Sequence, residues 1–259
     1  MNIHPTTPTE ELYSALQVAY NHFNNSLFDA KLPPILFTFQ RQQGMMGYFA
    51  PNRWASSQGK NCHEIAINPL YVGRAKLIEL MQTLVHEMTH CWQHCYGTPG
   101  RMSYHNKEWS DKMISVGLMP TSTGKPGGKI VGQRMGDYPI SNGSFVLECV
   151  TLLNTKNFNL PWVDRFSIRD WNTGNEGISE SCENTVLADA LTGIDSNIAD
   201  QLISNLSHLF DNDLFESPSP QSSKKTKLKY TCFECGINVW GKAGLSLRCD
   251  DCNNPLQGG

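Results

Sequence analysis

The chain has 259 residues, 39% hydrophobic and 17% charged, the composition of a globular protein with room for one sizeable core and a small appended module. No apolar run approaches the roughly 18 residues that a membrane span needs, and the first residues lack a basic start followed by an apolar stretch; no membrane partner is therefore expected, and a cytoplasmic location is. The net charge of −3 conceals a pattern, because residues 1–169 carry +4, residues 170–221 carry −10 with no Lys or Arg, and residues 222–259 carry +3.

Residues 10–28 place Leu12, Leu16, Ala19, Tyr20, Phe23 and Leu27 three and four apart, which predicts an amphipathic helix ending before Pro33 and Pro34. Short β-branched and aromatic runs at 35–40, 47–49 and 63–68 predict the strands of a small sheet. From 74 to 96, Leu77, Leu80, Met81, Leu84, Val85, Met88 and Trp92 recur at helical spacing, and Gly97 with Pro99 supplies the stop. A shorter helix is expected at 107–116. Residues 121–129 are too rich in Gly and Pro for regular structure, and 144–153 read as one more strand. Beyond residue 171 the chain is polar and acidic, with one helix-like patch at 186–209 and a Ser/Pro-rich stretch from 216. The expected organisation is a main domain over 1–169, an acidic flexible linker over 170–226 with its boundary near Lys224, and a small module over 227–259.

His86-Glu87-Met88-Thr89-His90 is an H-E-x-x-H pattern inside the second predicted helix. Residues four apart on a helix lie on one face about 6 Å apart, so His86 and His90 can converge on one zinc ion. Glu87 then lies beside the ion, where it can act as general base toward water that the metal has acidified. A third protein ligand is needed. His94 is eight residues from His86, roughly 12 Å along a straight helix, too far for all three histidines to reach one ion. The ligand must come from chain that turns back at Gly97, Pro99 and Gly100, with His105 the next histidine and Glu108 the alternative. Tyr104, Tyr96 and His94 are the neighbouring donors for an oxyanion.

Four of the nine cysteines form Cys232-x2-Cys235 and Cys249-x2-Cys252, separated by thirteen residues, the spacing of a structural zinc site. Strand-like runs at 237–240 and 245–248 predict a hairpin that brings the two pairs together. A module of about 30 residues cannot build an adequate core, so zinc would supply its folding energy. Lys224, Lys225, Lys227, Lys229, Lys242 and Arg248, interleaved with Tyr230, Phe233 and Trp240, are suited to contact phosphates and stack on bases. Cys62, Cys91, Cys95, Cys149 and Cys182 read as structural thiols, and Trp92 and Trp109 as core.

The chain resembles the SprT-like family of zinc metallopeptidases, whose eukaryotic relatives include the Spartan protease. The likeness rests on Ala19-Tyr20-Asn21-His22-Phe23-Asn24, Leu27-Phe28, Leu32-Pro33, Gly47-Tyr48-Phe49, Glu64-Ile65-Ala66-Ile67-Asn68-Pro69, the H-E-x-x-H stretch and Tyr104-His105-Asn106-Lys107-Glu108-Trp109. The resemblance implies an α+β, zincin-like domain with a small sheet and an active-site helix, followed by a C-terminal zinc ribbon. It implies a third zinc ligand at His105, and therefore one catalytic zinc at His86, His90 and His105 and one structural zinc at Cys232, Cys235, Cys249 and Cys252. It further implies an endopeptidase acting on proteins bound or crosslinked to DNA, with DNA, preferably single-stranded, as activator. The alternative is a non-catalytic DNA-binding or regulatory protein on a zincin scaffold. The long acidic segment departs from a minimal member of the family.

Overall fold

In the computed structural model, which describes residues 6–101, 104–156, 158–167, 180–209 and 227–258, helix α1 spans Pro8–Leu27. It begins at a reciprocal cap: Thr7 Oγ1 accepts from the Glu10 N–H, and the Glu10 carboxylate accepts from the Thr7 N–H at 2.8 Å. Its buried face carries Leu16, Ala19, Tyr20, Phe23 and Leu27. The chain leaves through Asp29 and Ala30 in left-handed conformations, and Asn24 holds the return by a pair of hydrogen bonds to the backbone of Leu32 at 3.0 and 3.1 Å.

Strands β1 (Ile35–Phe39), β2 (Gly47–Ala55) and β3 (Asn61–Ile67) form a sheet in the order β1-β3-β2, with β1 parallel and β2 antiparallel to β3. The central strand buries Ile65, Ala66 and Ile67 in succession, as a strand covered on both faces must. Asn68 closes it: its amide donates to the carbonyls of Gln42 and Met45, and its oxygen caps the short helix α2 (Pro69–Val72) at the Leu70 N–H.

Helix α3 (Leu77–Tyr96) packs across β2 and β3 and against helix α4 (Lys107–Ser115). Gly47 sets the approach of β2 to α3. A Cβ there would lie 2.7 Å from the Ala66 carbonyl oxygen and 2.9 Å from Thr83 Cγ2, closer than atoms can sit. Lys112 of α4 donates to the Leu27 carbonyl at the end of α1 and lies over the Phe28 ring. A second sheet pairs β4 (Leu118–Thr121) with β5 (Gly136–Pro139), which the sequence reading did not anticipate.

Two expectations are corrected in this unit. Residues 144–153 are not a strand but part of helix α5 (Ser144–Lys156), whose buried Phe145, Val146, Cys149, Leu152 and Leu153 follow helical spacing on one face. A short apolar run does not by itself distinguish the two periods, and packing on α1 decides it, with Phe23 stacked on Phe145 and His22 Nε2 2.9 Å from the Glu148 carbonyl. The acidic segment is also more than a linker. Helices α6 (Glu180–Ala190) and α7 (Ser196–Ile203), with a 3-10 turn at Leu206–Leu209, add Leu187, Ala190, Leu191, Leu202 and Leu206 to the core of the first unit. Asp189, Asp195 and Asp200 are exposed, which leaves these apolar positions free to pack. Residues 168–179 and 210–226, the boundary near Lys224 and the Cys182 side chain lie outside the described residues.

The compact units divide between Glu216 and Ser217. In the second, β6 (Leu228–Thr231), β7 (Asn238–Gly241) and β8 (Gln257–Gly258) form a sheet in the order β7-β6-β8. The expected hairpin between 237–240 and 245–248 is therefore corrected: β7 pairs with β6, and Arg248 makes only an isolated bridge to Pro255. The buried Tyr230 hydroxyl explains this, since it donates to the Lys242 carbonyl at 2.6 Å and accepts from the Leu245 N–H at 3.0 Å, pinning 242–245 as a turn. Among the described residues no helix is long and apolar enough to cross a membrane.

Gly47→Ala is expected to destabilise the first unit by about 1–3 kcal/mol in denaturant unfolding, the usual cost of overpacking. A loss under about 0.5 kcal/mol, the scale of a neutral surface change, would show that β2 and α3 are not in this contact.

Candidate metal centre

Helix α3 presents His86 and His90 one turn apart, with ring centroids 5.1 Å from each other. Beyond its end the chain reverses at Gly97, where a Cβ would meet the Glu108 carboxylate at 2.5 Å. Glu108 accepts from the Thr98 N–H at 2.7 Å and from Gln93 Nε2 at 2.8 Å, so this carboxylate, the alternative third donor, is committed to the reversal. His105 follows and joins the pair, its ring centroid 5.4 Å from that of His86 and 4.8 Å from that of His90. One ring nitrogen from each of the three lies within 4.8 Å of the others. Trp109, fully buried on α4, forms their common floor, with centroids 4.9, 5.3 and 4.3 Å from His86, His90 and His105.

The hydrogen bonds determine which nitrogens face inward. His105 Nδ1 lies 3.2 Å from the Gly132 carbonyl, which can only accept, so Nδ1 carries the proton and Nε2 presents a lone pair. His86 Nδ1 is 2.9 Å from the Asp137 carboxylate, with the same consequence. His90 Nε2 lies 3.1 Å from His105 Nε2. Burial, with the neighbouring imidazoles, holds His90 well below its ordinary pKa and brings His105 down to about 4, so both are neutral near pH 7. Burial also opposes protonation of His86, but the Asp137 hydrogen bond and the Glu87 charge outweigh it and raise its pKa. Converging imidazole nitrogens, those of His90 and His105 held neutral by burial, are a donor set that zinc takes, and here they fit it.

Glu87, which follows His86 on the same helix, is buried, and burial pushes its pKa up, against the opposing pull of His86 and a hydrogen bond from the Phe49 backbone. Phe49 lies on β2, so the strand that Gly47 brings close also supplies this contact. The other candidate donors go elsewhere or stay exposed. His94 packs against His63 and Phe49 at 5.2 and 6.0 Å, the Tyr96 hydroxyl donates to the Lys31 carbonyl, and Tyr104 is exposed. Cys91 and Cys149 are fully buried and Cys95 is half-buried near His63, as structural thiols.

The sequence reading did not single out Asp137 or Gly132, and it took Trp109 as core without its contact to the histidines. Asp137 lies 51 residues from His86 in a strand of four residues, too short for periodicity to mark it.

In the second unit the sulfurs of Cys232, Cys235, Cys249 and Cys252 lie within 4.8 Å of one another. The Cys235 and Glu234 backbone amides help bring Cys232 down to about 7, and contact with Cys235 pushes Cys252 up to about 12. Four thiols this close cannot all ionise alone, whereas a divalent cation among them lets them do so. The quartet therefore also fits zinc.

A mixed helix and sheet domain with three converging histidines and a buried glutamate beside the first of them is a metallopeptidase-like domain. The chain belongs to the SprT-like family, which it matches over residues 16–125, a span holding His86, Glu87, His90 and His105. A Salmonella typhimurium protein described as an uncharacterized protein in the mucB 3' region is 43% identical over 51 residues, which cover 20% of this chain and 69% of that protein. No solved structure matches the chain.

Trp109→Ala is expected to cost about 3–5 kcal/mol in denaturant unfolding, the usual range for removing a fully buried aromatic. A cost below about 1 kcal/mol would mean that the indole is not the floor on which the histidines rest.

Proposed function

We propose that this protein is a zinc-dependent endopeptidase of zincin-like architecture, acting on proteins bound or crosslinked to DNA, with single-stranded DNA as activator. The observation that carries the catalytic part is the buried Glu87 next to His86 on α3, with His86, His90 and His105 forming a converging set of ring nitrogens. His86, His90 and His105 would hold the catalytic zinc. Bound there, zinc supplies a Lewis acid for the peptide carbonyl and lowers the pKa of water toward about 7.

The protein's own steps fall to Glu87. Its carboxylate takes a proton from the attacking water as the new C–O bond forms, and returns that proton to the amine nitrogen as the C–N bond breaks. Burial suits it to both tasks, since a carboxylate with a raised pKa holds a proton better than an exposed one. The Phe49 backbone contact limits how far the side chain can swing.

The DNA part rests on the second unit, which we read as a zinc ribbon over 227–258. Phe233 and Trp240 are 76% and 62% exposed, and Lys229 lies opposite Trp240 in the β6–β7 register. Exposed aromatic faces beside lysines suit stacking on unpaired bases with contact to phosphates.

The test is cleavage of a DNA-binding protein with and without single-stranded DNA, comparing the native chain with Glu87→Gln. Native cleavage should rise with DNA, and Glu87→Gln should lower it at least about 10²-fold, the contribution of a general base, with metal content unchanged. Wild-type metal binding without cleavage under any DNA condition would favour the non-catalytic DNA-binding reading. Cys235→Ser should remove one equivalent of bound zinc and weaken single-stranded DNA binding in fluorescence anisotropy. Unchanged zinc content in that variant would overturn the ribbon assignment.

A further inference from the structure

The family match ends at residue 125, yet two contacts to the histidine site come from residues 132 and 137. Gly132 and His105 exchange both backbone hydrogen bonds, at 2.9 and 3.1 Å, and the same Gly132 carbonyl takes the His105 Nδ1 proton. Five residues on, in β5, Asp137 Oδ2 meets His86 Nδ1 at 2.9 Å. Its other oxygen accepts from Gln82 Nε2 at 3.1 Å, and its backbone carbonyl lies 3.3 Å from the same amide. Gln82 is one helical turn before His86, so the carboxylate is gripped from two points of α3.

A carboxylate with a side chain only 7% exposed is costly to bury unless its charge is used. Tying β5 to α3 would not require a charge, because a neutral acceptor could make the same bonds. A negative charge behind an imidazole does more: it fixes the Nδ1–H tautomer, turns Nε2 inward and makes that nitrogen a stronger donor to a cation.

We propose that Asp137 is a positioning residue of the metal centre, orienting and strengthening His86 through its Nδ1 proton, while the Gly132 carbonyl orients His105. Residues 132 and 137 thus set two of the three donors before any ion arrives. The inference rests on the metal-centre reading of the triad, and its test separates the two.

The full chain, as wild type, Asp137→Ala, Asp137→Asn and His86→Ala, is titrated with Co2+ against a competing chelator. The imidazole site is followed by its d–d absorption, and the cysteine site by the thiolate charge-transfer bands that only it has. Long-range 1H–15N spectra of the metal-free chains read the His86 tautomer. Asp137→Ala should weaken the imidazole site by about 10- to 100-fold and lose the single Nδ1–H tautomer, with the cysteine site unmoved. Asp137→Asn, which keeps the size and one acceptor oxygen but not the charge, should keep the tautomer and still weaken the site by about fivefold or more. Should Asp137→Ala lose cooperative unfolding, the Asn variant decides by its affinity.

Affinity within about twofold of wild type in both folded variants, with the site lost in His86→Ala, would overturn the role of Asp137 and leave the metal centre standing. A wild-type chain showing no imidazole-type cobalt site would overturn the metal-centre reading and this inference with it.

Discussion

Imidazoles keep their lone pairs aimed at one point only if each ring is held from another side. In this protein His86 is held by Asp137, His105 by Gly132, and His90 by stacking on the indole of Trp109. Each holder belongs to a different element from the ring that it holds. The site therefore exists only when α3, α4, β5 and the loop before β5 are all in place, and the core that packs those elements is also what arranges the donors.

Two close approaches accompany that arrangement, and both fall at glycines. Gly47 lets the edge strand β2 lie against α3, which brings the Phe49 backbone to Glu87. Gly97 lets the chain double back over Glu108, which brings His105 under the helix that carries His86 and His90. A Cβ at Gly47 would press on the Ala66 carbonyl and Thr83, and one at Gly97 on the Glu108 carboxylate. The chemistry proposed for Glu87 depends on its burial, and that burial depends on β2 staying where Gly47 allows it.

The second unit solves a different problem. Its buried residues are few, with Tyr230, Leu256, Cys232 and Cys249 at their centre, too little apolar area to outweigh chain entropy. The four sulfurs supply the missing cohesion if they share a cation, and the aromatic residues need not turn inward. Phe233 and Trp240 remain at the surface, where they are free to meet a partner.

Much of this was legible along the chain wherever the determining contacts are local. The long helix carrying His86, Glu87 and His90, the first helix and the three strands of the main sheet follow from periodicity, and the cysteine pairs from their spacing. The choice of His105 over Glu108 was open on geometry alone, because it turns on which side chain the Gly97 reversal consumes. Helix α5 was misread because a run of apolar residues fits either period, and only its packing on α1 selects one. Helices α6 and α7 were legible only as one helix-like patch at 186–209, because an acidic composition says nothing of whether Leu187, Leu191 or Leu202 is packed. By itself, then, the sequence determined which residues can do the chemistry, since that depends on residue type and short spacing. The tertiary structure alone decided how their free nitrogens are aimed, because Asp137, Gly132 and Trp109 reach the histidines through contacts between separate elements that no local pattern encodes.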